Sequence, residues 1–302
     1  MNTNLMDRKI AVLYGGESSE REVSLVSGKK TLEALADFNA VGLDVPTKDL
    51  AAELVRQGIE YCFIALHGGA GEDGTVQAIL NTQGIPFSGS DVTACALAMD
   101  KHLSKLIFKS AGLPTAPSLT LLGDVSWAEV SQALGDKVIL KPTCEGSSVG
   151  MQIATDEKSF IHAMALAKEY GDKVLVEKWI DGEELTVGIL GNDALPVVRF
   201  ITPSEFYDYH AKYERDDNTY YCPSGLDEAT EKQVQAISLD AFNALGCKGW
   251  GRVDLMMDHQ GKIQLLEVNT QPGLTSHSFL PMAAKVAGMS FEQLIAAIIN
   301  QG

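Results

Sequence analysis

Asp254, Glu267 and Asn269 stand in the segment GRVDLMMDHQGKIQLLEVN, residues 251–269. Its two apolar runs flank His259-Gln260-Gly261-Lys262, a hairpin signal. If Gln260-Gly261 is a two-residue turn, Asp254 falls opposite Glu267 and Arg252 opposite Asn269. Side chains alternate along a strand, so all four share one face. Carboxylates directly across a ladder repel unless a cation lies between them. Asp254, Glu267 and Asn269 together offer hard oxygen ligands, which suit Mg²⁺ bridging a nucleotide's phosphates better than zinc. The competing reading is a solvated face whose acids pair with lysines. The flanking Leu, Met and Val argue against it, because strands this apolar are buried on at least one side. A one-residue slip in the turn would break the arrangement.

A second segment runs Lys141-Pro-Thr-Cys-Glu-Gly-Ser-Ser-Val-Gly150. Here a strand ending in Lys enters a hydroxyl-rich glycine loop whose backbone N–H groups can wrap phosphate oxygens. It is not a Walker loop, since G-x-x-x-x-G-K-[ST] is absent. By itself it is equally an ordinary tight hairpin, but beside the acidic face it supplies the missing half of a Mg-nucleotide site. Cys144 lies inside it with nothing nearby to mark a nucleophile, and reads as a bystander. The strand 174–180, followed by Asp181-Gly182-Glu183-Glu184, could offer backbone groups to an adenine edge and an acid to ribose hydroxyls. A strand and a surface turn describe it as well.

The elements that must hold these residues form a recognisable order. Runs at 10–14 and 61–66 read as buried strands, with helices at 20–35 and 75–83. That alternation implies a parallel sheet, and the loops GGESSERE and HGGAGEDG after its strands form the binding edge. A helix at 101–111 ends at Gly112-Leu113-Pro114. A small separate lobe follows: strand 138–141, the glycine loop, a short strand, helix 156–170 and strand 173–178. Strands at 184–190 and 195–200 then lead into a polar, aromatic-rich loop at about 202–219. A helix at 228–245, the hairpin and two closing helices complete the chain.

Bulk properties narrow the function. A chain of 302 residues suits two or three lobes, and 45% hydrophobic with 21% charged residues is globular. A net charge of −16 gives no general claim on nucleic acid or anionic membrane, so any phosphate must be held by a few placed cations and amides. The five scattered cysteines include no C-x-x-C pair, against zinc and against a disulfide framework. No signal-like h-region precedes the first strand, and no apolar run approaches the roughly 18 residues of a membrane span. A reducing, aqueous cytoplasm is the expected compartment.

Taken together, GGESSEREVSLVSG, HGGAGEDG, MDKHLSK, KPTCEGSSVG, YDYHAKY, GRVDLMMD and EVNTQPGLTSHS resemble the ATP-grasp superfamily and, within it, the D-alanine–D-alanine ligases, over nearly the whole chain. The resemblance implies an α/β (α+β) fold of three lobes. They would be an N-terminal substrate-binding α/β domain at 1–95, a central lobe with the phosphate loop at 96–180, and a C-terminal lobe with the metal site and lid at 181–302. It implies ligation of two D-alanines through a D-alanyl phosphate, for cell-wall precursor synthesis, by a homodimer using ATP and two Mg²⁺, with Mn²⁺ able to substitute. Lys101 and Lys141 would meet the ATP phosphates, and Glu177, Lys178, Ile180 and Glu184 the adenine and ribose. Asp254, Glu267 and Asn269 would bind the metals. Glu20 would accept the first ammonium, and Arg252 with the Gly273 amide would stabilise an oxyanion. Ser278 and Lys212 would hold the second carboxylate, and Ser147 and Tyr213 would link to Glu20.

Residue by residue, plainer roles compete. Ser147 could be only a turn residue, Glu20 a helix cap or dipole partner, and His67 either a substrate-side hydrogen-bonding group or a satisfied loop histidine. The nearest rival function is another ATP-grasp carboxylate–amine ligase with a different amino or hydroxy acid at the second site. A nicotinamide-dependent oxidoreductase is excluded at the first turn, because GGESSE lacks the third glycine of G-x-G-x-x-G.

Overall fold

A computed structural model describes residues 7–123, 125–201 and 219–301. Two of the three strands of the first sheet, β1 and β3, are short runs buried on both faces, as strands of a parallel sheet covered by helices are. All four residues of β1 (Ile10–Leu13) are buried. Helix α1 (Arg21–Ala34), β2 (Ala40–Leu43), α2 (Leu50–Gln57) and the fully buried β3 (Tyr61–Ile64) follow. β1 lies in the middle and pairs in parallel with both neighbours. Three helices come next: α3 (Thr75–Gln83), α4 (Val92–Met99) and α5 (Lys101–Ser110). Asp100 sits between the last two, and its carboxylate accepts from the His102 and Leu103 amides at 2.9 and 3.2 Å. This cap starts α5 at Lys101.

The second sheet takes β4 (Ser118–Leu121), β5 (Val138–Pro142), β6 (Gln152–Ala154) and β7 (Val174–Lys178), with helices α6 (Trp127–Leu134) and α7 (Glu157–Lys168) between them. It is antiparallel in the order β4-β7-β5-β6 and has its own core, including Val130, Val138, Phe160 and Val176. The third sheet takes β8 (Gly182–Leu190), β9 (Asp193–Ala194), β10 (Val198–Ile201) and β11 (Thr219–Tyr221). Helix α8 (Glu228–Ala244) leads to β12 (Trp250–Asp258) and β13 (Ile263–Asn269), and helices α9 (Phe279–Val286) and α10 (Phe291–Asn300) close the chain. Its order is β11-β10-β8-β12-β13, with β9 on β8 and every pairing antiparallel.

The cores tie these sheets together. Phe108 of α5 packs with Phe242, Val253 and Leu265 on one face of the third sheet. Leu280 and Ile295 of the closing helices pack instead with Ile10, Phe63 and Trp250, and the Phe63 and Trp250 rings lie 6.0 Å apart. The fold is thus mixed α/β, with one parallel and two antiparallel sheets. Among the described residues no single helix is long and apolar enough to cross a membrane.

The β12–β13 hairpin departs from expectation in two places that cancel. Its turn holds three residues, 259–261, because Asp258 N–H donates to Lys262 O at 3.1 Å and Gly261 N–H to Asp258 O at 2.9 Å. Gly261 adopts φ +78°, the left-handed conformation such a turn demands. Pairs near the turn, such as Leu255 with Leu265, are therefore one residue off the two-residue-turn register. A bulge at Leu266 restores it, so Asp254 does face Glu267 and Arg252 does face Asn269.

Candidate active site

The face predicted from the hairpin is a dense electrostatic knot. Arg252 donates to both Asp254 oxygens at 2.8 and 2.8 Å. Asn269 Nδ2 reaches Asp254 Oδ2 at 2.9 Å, and the Thr186 hydroxyl reaches Oδ1 at 2.6 Å from β8. Across the ladder, Lys101 Nζ lies 2.9 Å from Glu267 Oε2 and donates to the Glu145 carbonyl at 2.6 Å. Burial alone would lower the Lys101 ammonium, but the Glu267 carboxylate outweighs it and holds the group above its ordinary value. A lysine opening a helix works against the helix dipole, so its position is set by this contact and not by helix stability.

These donors fit a particular kind of metal site. Two carboxylates and one amide oxygen share a face, each acid already balanced by a cation. Among the described residues, no group of three or more His, Cys, Asp or Glu could enclose an ion alone. A Mg²⁺ held here must complete its shell with phosphate oxygens and water, as a nucleotide-bound ion does.

The phosphate loop meets this face. Lys101, Glu145, Gly146, Glu267 and Asn269 line one cleft. Ser147 and Ser148 both take left-handed conformations, at φ +49° and +60°. Such strain in non-glycine residues is held only where surrounding structure demands it. A Cβ on Gly146 would come 2.7 Å from Glu20 Oε1, so the loop and Glu20 are neighbours. Glu20 stands at the start of α1 but makes no side-chain capping bond, which removes the cap reading. Gly273 and Ser278 are likewise adjacent: a Cβ on Gly273 would lie 2.7 Å from Ser278 Oγ, which accepts from the Thr275 amide at 3.0 Å.

His67 and Glu177 both spend their side chains on partners within the protein. His67 is buried, with Nδ1 2.9 Å from Gln271 O and Nε2 2.8 Å from Ser27 Oγ. A carbonyl only accepts, so Nδ1 carries the proton and Nε2 accepts from Ser27, whose oxygen in turn accepts from the Leu274 amide at 3.2 Å. Burial holds the imidazole below its ordinary value. Both ring nitrogens are spent on protein, so here the ring clamps the 271–274 loop to α1 and offers a substrate nothing. Glu177, expected at the adenine, directs its carboxylate to two lysines. Lys141 Nζ lies 2.5 Å from Oε2, and Lys105 pairs with Oε1. Burial would raise this acid, but Lys105 and Lys141 outweigh it and hold it at about 2. Lys178 is exposed, while Ile180 and Glu184 are half-buried where β7 passes into β8. Lys212 and Tyr213 lie outside the described residues.

Sequence reasoning missed two groups. Lys105 is one. Glu72 is the other: it lines the same cleft, and its Oε1 accepts from the Gly68 amide at 3.0 Å. Burial and the nearby charge of Glu20 push its carboxyl up to about 8. Its signal was present in HGGAGEDG, an acid set among glycines at the binding edge.

A cleft between the loop that follows β5 and the β12–β13 hairpin, with Lys101 paired to Glu267 across it, is the arrangement expected of an ATP-grasp ligase. The comparisons carry this further. Residues 107–300 match the D-ala D-ala ligase C-terminus and residues 44–90 the D-ala D-ala ligase N-terminus. The chain is 31% identical to D-alanine–D-alanine ligase from Bacillus anthracis complexed with ATP, covering 97% of each chain at a TM-score of 0.85. VanG D-Ala:D-Ser ligase from Enterococcus faecalis is 29% identical, covering 97% of this chain and 98% of its own at 0.82. The enzyme from Coxiella burnetii is 25% identical, covering 97% and 94% at 0.81. The chain belongs to the D-alanine–D-alanine ligase family and is an ATP-dependent ligase.

Proposed function

We propose that the enzyme joins two D-alanines through a D-alanyl phosphate, in the cytoplasm, as a homodimer supplying peptidoglycan precursors. A carboxylate is a poor electrophile, so the first D-alanine attacks the γ-phosphate of ATP and releases ADP. The amine of the second then attacks the acyl phosphate carbonyl and phosphate leaves. The observation that carries this reading is the shared face of Asp254, Glu267 and Asn269 directly beside Lys101 and the 144–150 loop.

In this scheme Lys101 and Lys141 draw the phosphates into the cleft, and Ile180, Lys178 and Glu184 meet adenine and ribose. Asp254, Glu267 and Asn269 would hold the Mg²⁺ ions, which when bound neutralise phosphate charge. Glu20 pairs with the first ammonium. Arg252, fixed by Asp254, and the Gly273 amide stabilise the oxyanion of the tetrahedral intermediate. Ser278 and Lys212 take the second carboxylate, and Ser147 and Tyr213 close the loop over Glu20. The 202–219 loop serves as lid, since an acyl phosphate hydrolyses in open water. Lys212, Tyr213 and the lid enter from sequence alone, as does the division into lobes 1–95, 96–180 and 181–302. His67 supports the site by fixing the Gln271–Leu274 stretch.

A second reading keeps the chemistry and changes the amine: D-serine, as the name of the VanG relative states for that protein. The YDYHAKY segment, which resembles the dipeptide-forming type, favours D-alanine. Coupled ADP release with D-alanine, D-serine, D-lactate and L-alanine supplied separately, with products weighed by mass spectrometry, decides between them. D-alanine alone is expected to sustain turnover and give the dipeptide. A mixed product with D-serine or D-lactate at equal concentration would overturn the assignment.

A further inference from the structure

The nucleotide side of the cleft rests on a cation that no nucleotide can touch. Lys105 is 2% exposed. It ion-pairs with Glu177, donates to Thr115 Oγ1 at 2.7 Å and approaches Leu265 O at 3.4 Å. One carboxylate and two neutral oxygens thus surround the ammonium. A buried ammonium is costly unless paired and bonded, so its presence needs a reason.

Its partners supply that reason. Lys141 and Glu177 stand on neighbouring strands β5 and β7, with Glu177 opposite Ile139 and Lys141 opposite Leu175. Both therefore rise from one face of the second sheet, a diagonal step apart. Glu177 sits between two ammonium groups, of which Lys141, at the mouth of the 142–150 loop, is the less buried, 7% exposed against 2% for Lys105. Were Lys105 absent, the carboxylate would belong to Lys141 alone, and the pair would carry no net charge toward phosphate. With Lys105 matching Glu177, the triad is net positive and its charge lies at Lys141.

The same ammonium also joins the two sheets. Lys101 and Lys105 are one helical turn apart on α5 and share a face. Lys101 reaches Glu267 on β13, while Lys105 reaches Glu177 on β7. Leu265, whose carbonyl faces Lys105 and also accepts from the Thr115 hydroxyl at 3.0 Å, immediately precedes the Leu266 bulge that sets Glu267 in register.

We propose that Lys105 is a positioning residue for nucleotide binding, acting through Glu177 to present Lys141 and through Leu265 to hold the strand bearing Glu267. This rests on the assignment of the cleft to Mg-ATP. The test measures ADP affinity by calorimetry with Mg²⁺ present, the KM and kcat for ATP, and the melting temperature. The proteins are the full-length wild type, Lys105→Met, Thr115→Val, Glu177→Gln and the Lys105→Met/Glu177→Gln pair. Lys105→Met is expected to weaken ADP binding and raise KM for ATP about tenfold, the size of effect found when a supporting contact is cut from a ligand set. In the Glu177→Gln background the same change should shift ADP affinity by less than about twofold, because the charge it balances is gone. Thr115→Val keeps the charge and removes one acceptor, so a shift of a few-fold in the same direction is expected even if Lys105→Met does not fold. A lower melting temperature with unchanged ADP affinity and KM in both Lys105→Met and Thr115→Val would overturn the proposal, as would an equal effect of Lys105→Met in both backgrounds. Wild-type protein that binds no ADP would instead overturn the assignment of the cleft.

Discussion

Asn269 Nδ2 donates to Asp254 Oδ2 across the ladder at 2.9 Å, which directs an N–H at an oxygen that the proposed Mg²⁺ would need. In the proposed metal site, Asn269 would have to turn its amide oxygen inward to ligate Mg²⁺. Asp254 meanwhile orients Arg252 through two hydrogen bonds and accepts a third from Thr186.

Asp254→Asn removes a proposed Mg²⁺ ligand and the charge that aligns Arg252. The expected loss is about 100-fold or more in kcat, equivalent to roughly 2.7 kcal/mol of transition-state stabilisation. The Mg²⁺ concentration giving half-maximal rate should rise as well. Coupled ADP release over a Mg²⁺ titration checks both, and a kcat within threefold of wild type would remove Asp254 from the metal site.

Gly146→Ala tests how closely the phosphate loop must approach Glu20. The added methyl would meet Glu20 Oε1 at 2.7 Å, the far end of a flexible side chain that can swing away. Stability should change by less than about 1 kcal/mol, as for substitutions that leave the core intact. Displacing Glu20 should instead raise KM for the first D-alanine about tenfold and leave KM for ATP less affected. Thermal melts and steady-state kinetics separate the two, and a large drop in melting temperature with unchanged KM would contradict the geometry.

Much of this site was legible in the sequence, for reasons that differ by residue. The facing of Asp254 and Glu267 followed from alternation and a turn signal, although the turn holds one residue more than expected. The compensating bulge at Leu266 has no sequence mark, because an extra strand residue looks like any other apolar one. Helix α4, VTACALAM, was missed since it is apolar on all sides and shows no helical period. Lys105 reads as an ordinary surface residue of an amphipathic helix until Glu177 arrives from a strand 72 positions away. Charges that meet only in tertiary structure leave no local pattern, so the ion pairs of Glu177 with Lys105 and Lys141 were not foreseen.

The tautomer assigned to His67 makes a direct prediction. Nitrogen NMR of labelled protein should show a neutral ring protonated at Nδ1 at pH 7, because Gln271 O can only accept. The folded pKa is lowered, so the unfolded chain takes up the proton more readily. Stability contributed by this site is therefore present above the ordinary value near 6.5 and is lost as pH falls through the window below it. His67→Gln should flatten that part of the stability profile measured by urea unfolding, and an Nε2-protonated ring at pH 7 would refute the network.

Glu72 titrates in the opposite sense. Its carboxyl stands at about 8 in the folded protein against an unfolded value of 4.5. Between those two values the folded state holds a proton that the unfolded state releases. Stability from this group is therefore full below pH 4.5 and declines as pH rises toward 8. Glu72→Gln keeps an oxygen for the Gly68 amide, which Oε1 now accepts at 3.0 Å, and removes the charge altogether. The variant should match wild type in melting temperature at pH 5 and exceed it by several degrees at pH 8.5, without nucleotide or metal. Alkaline instability left unchanged by the substitution would mean that Glu72 is ionised through this range, and that the charges of Glu20 and Glu267 are screened from it.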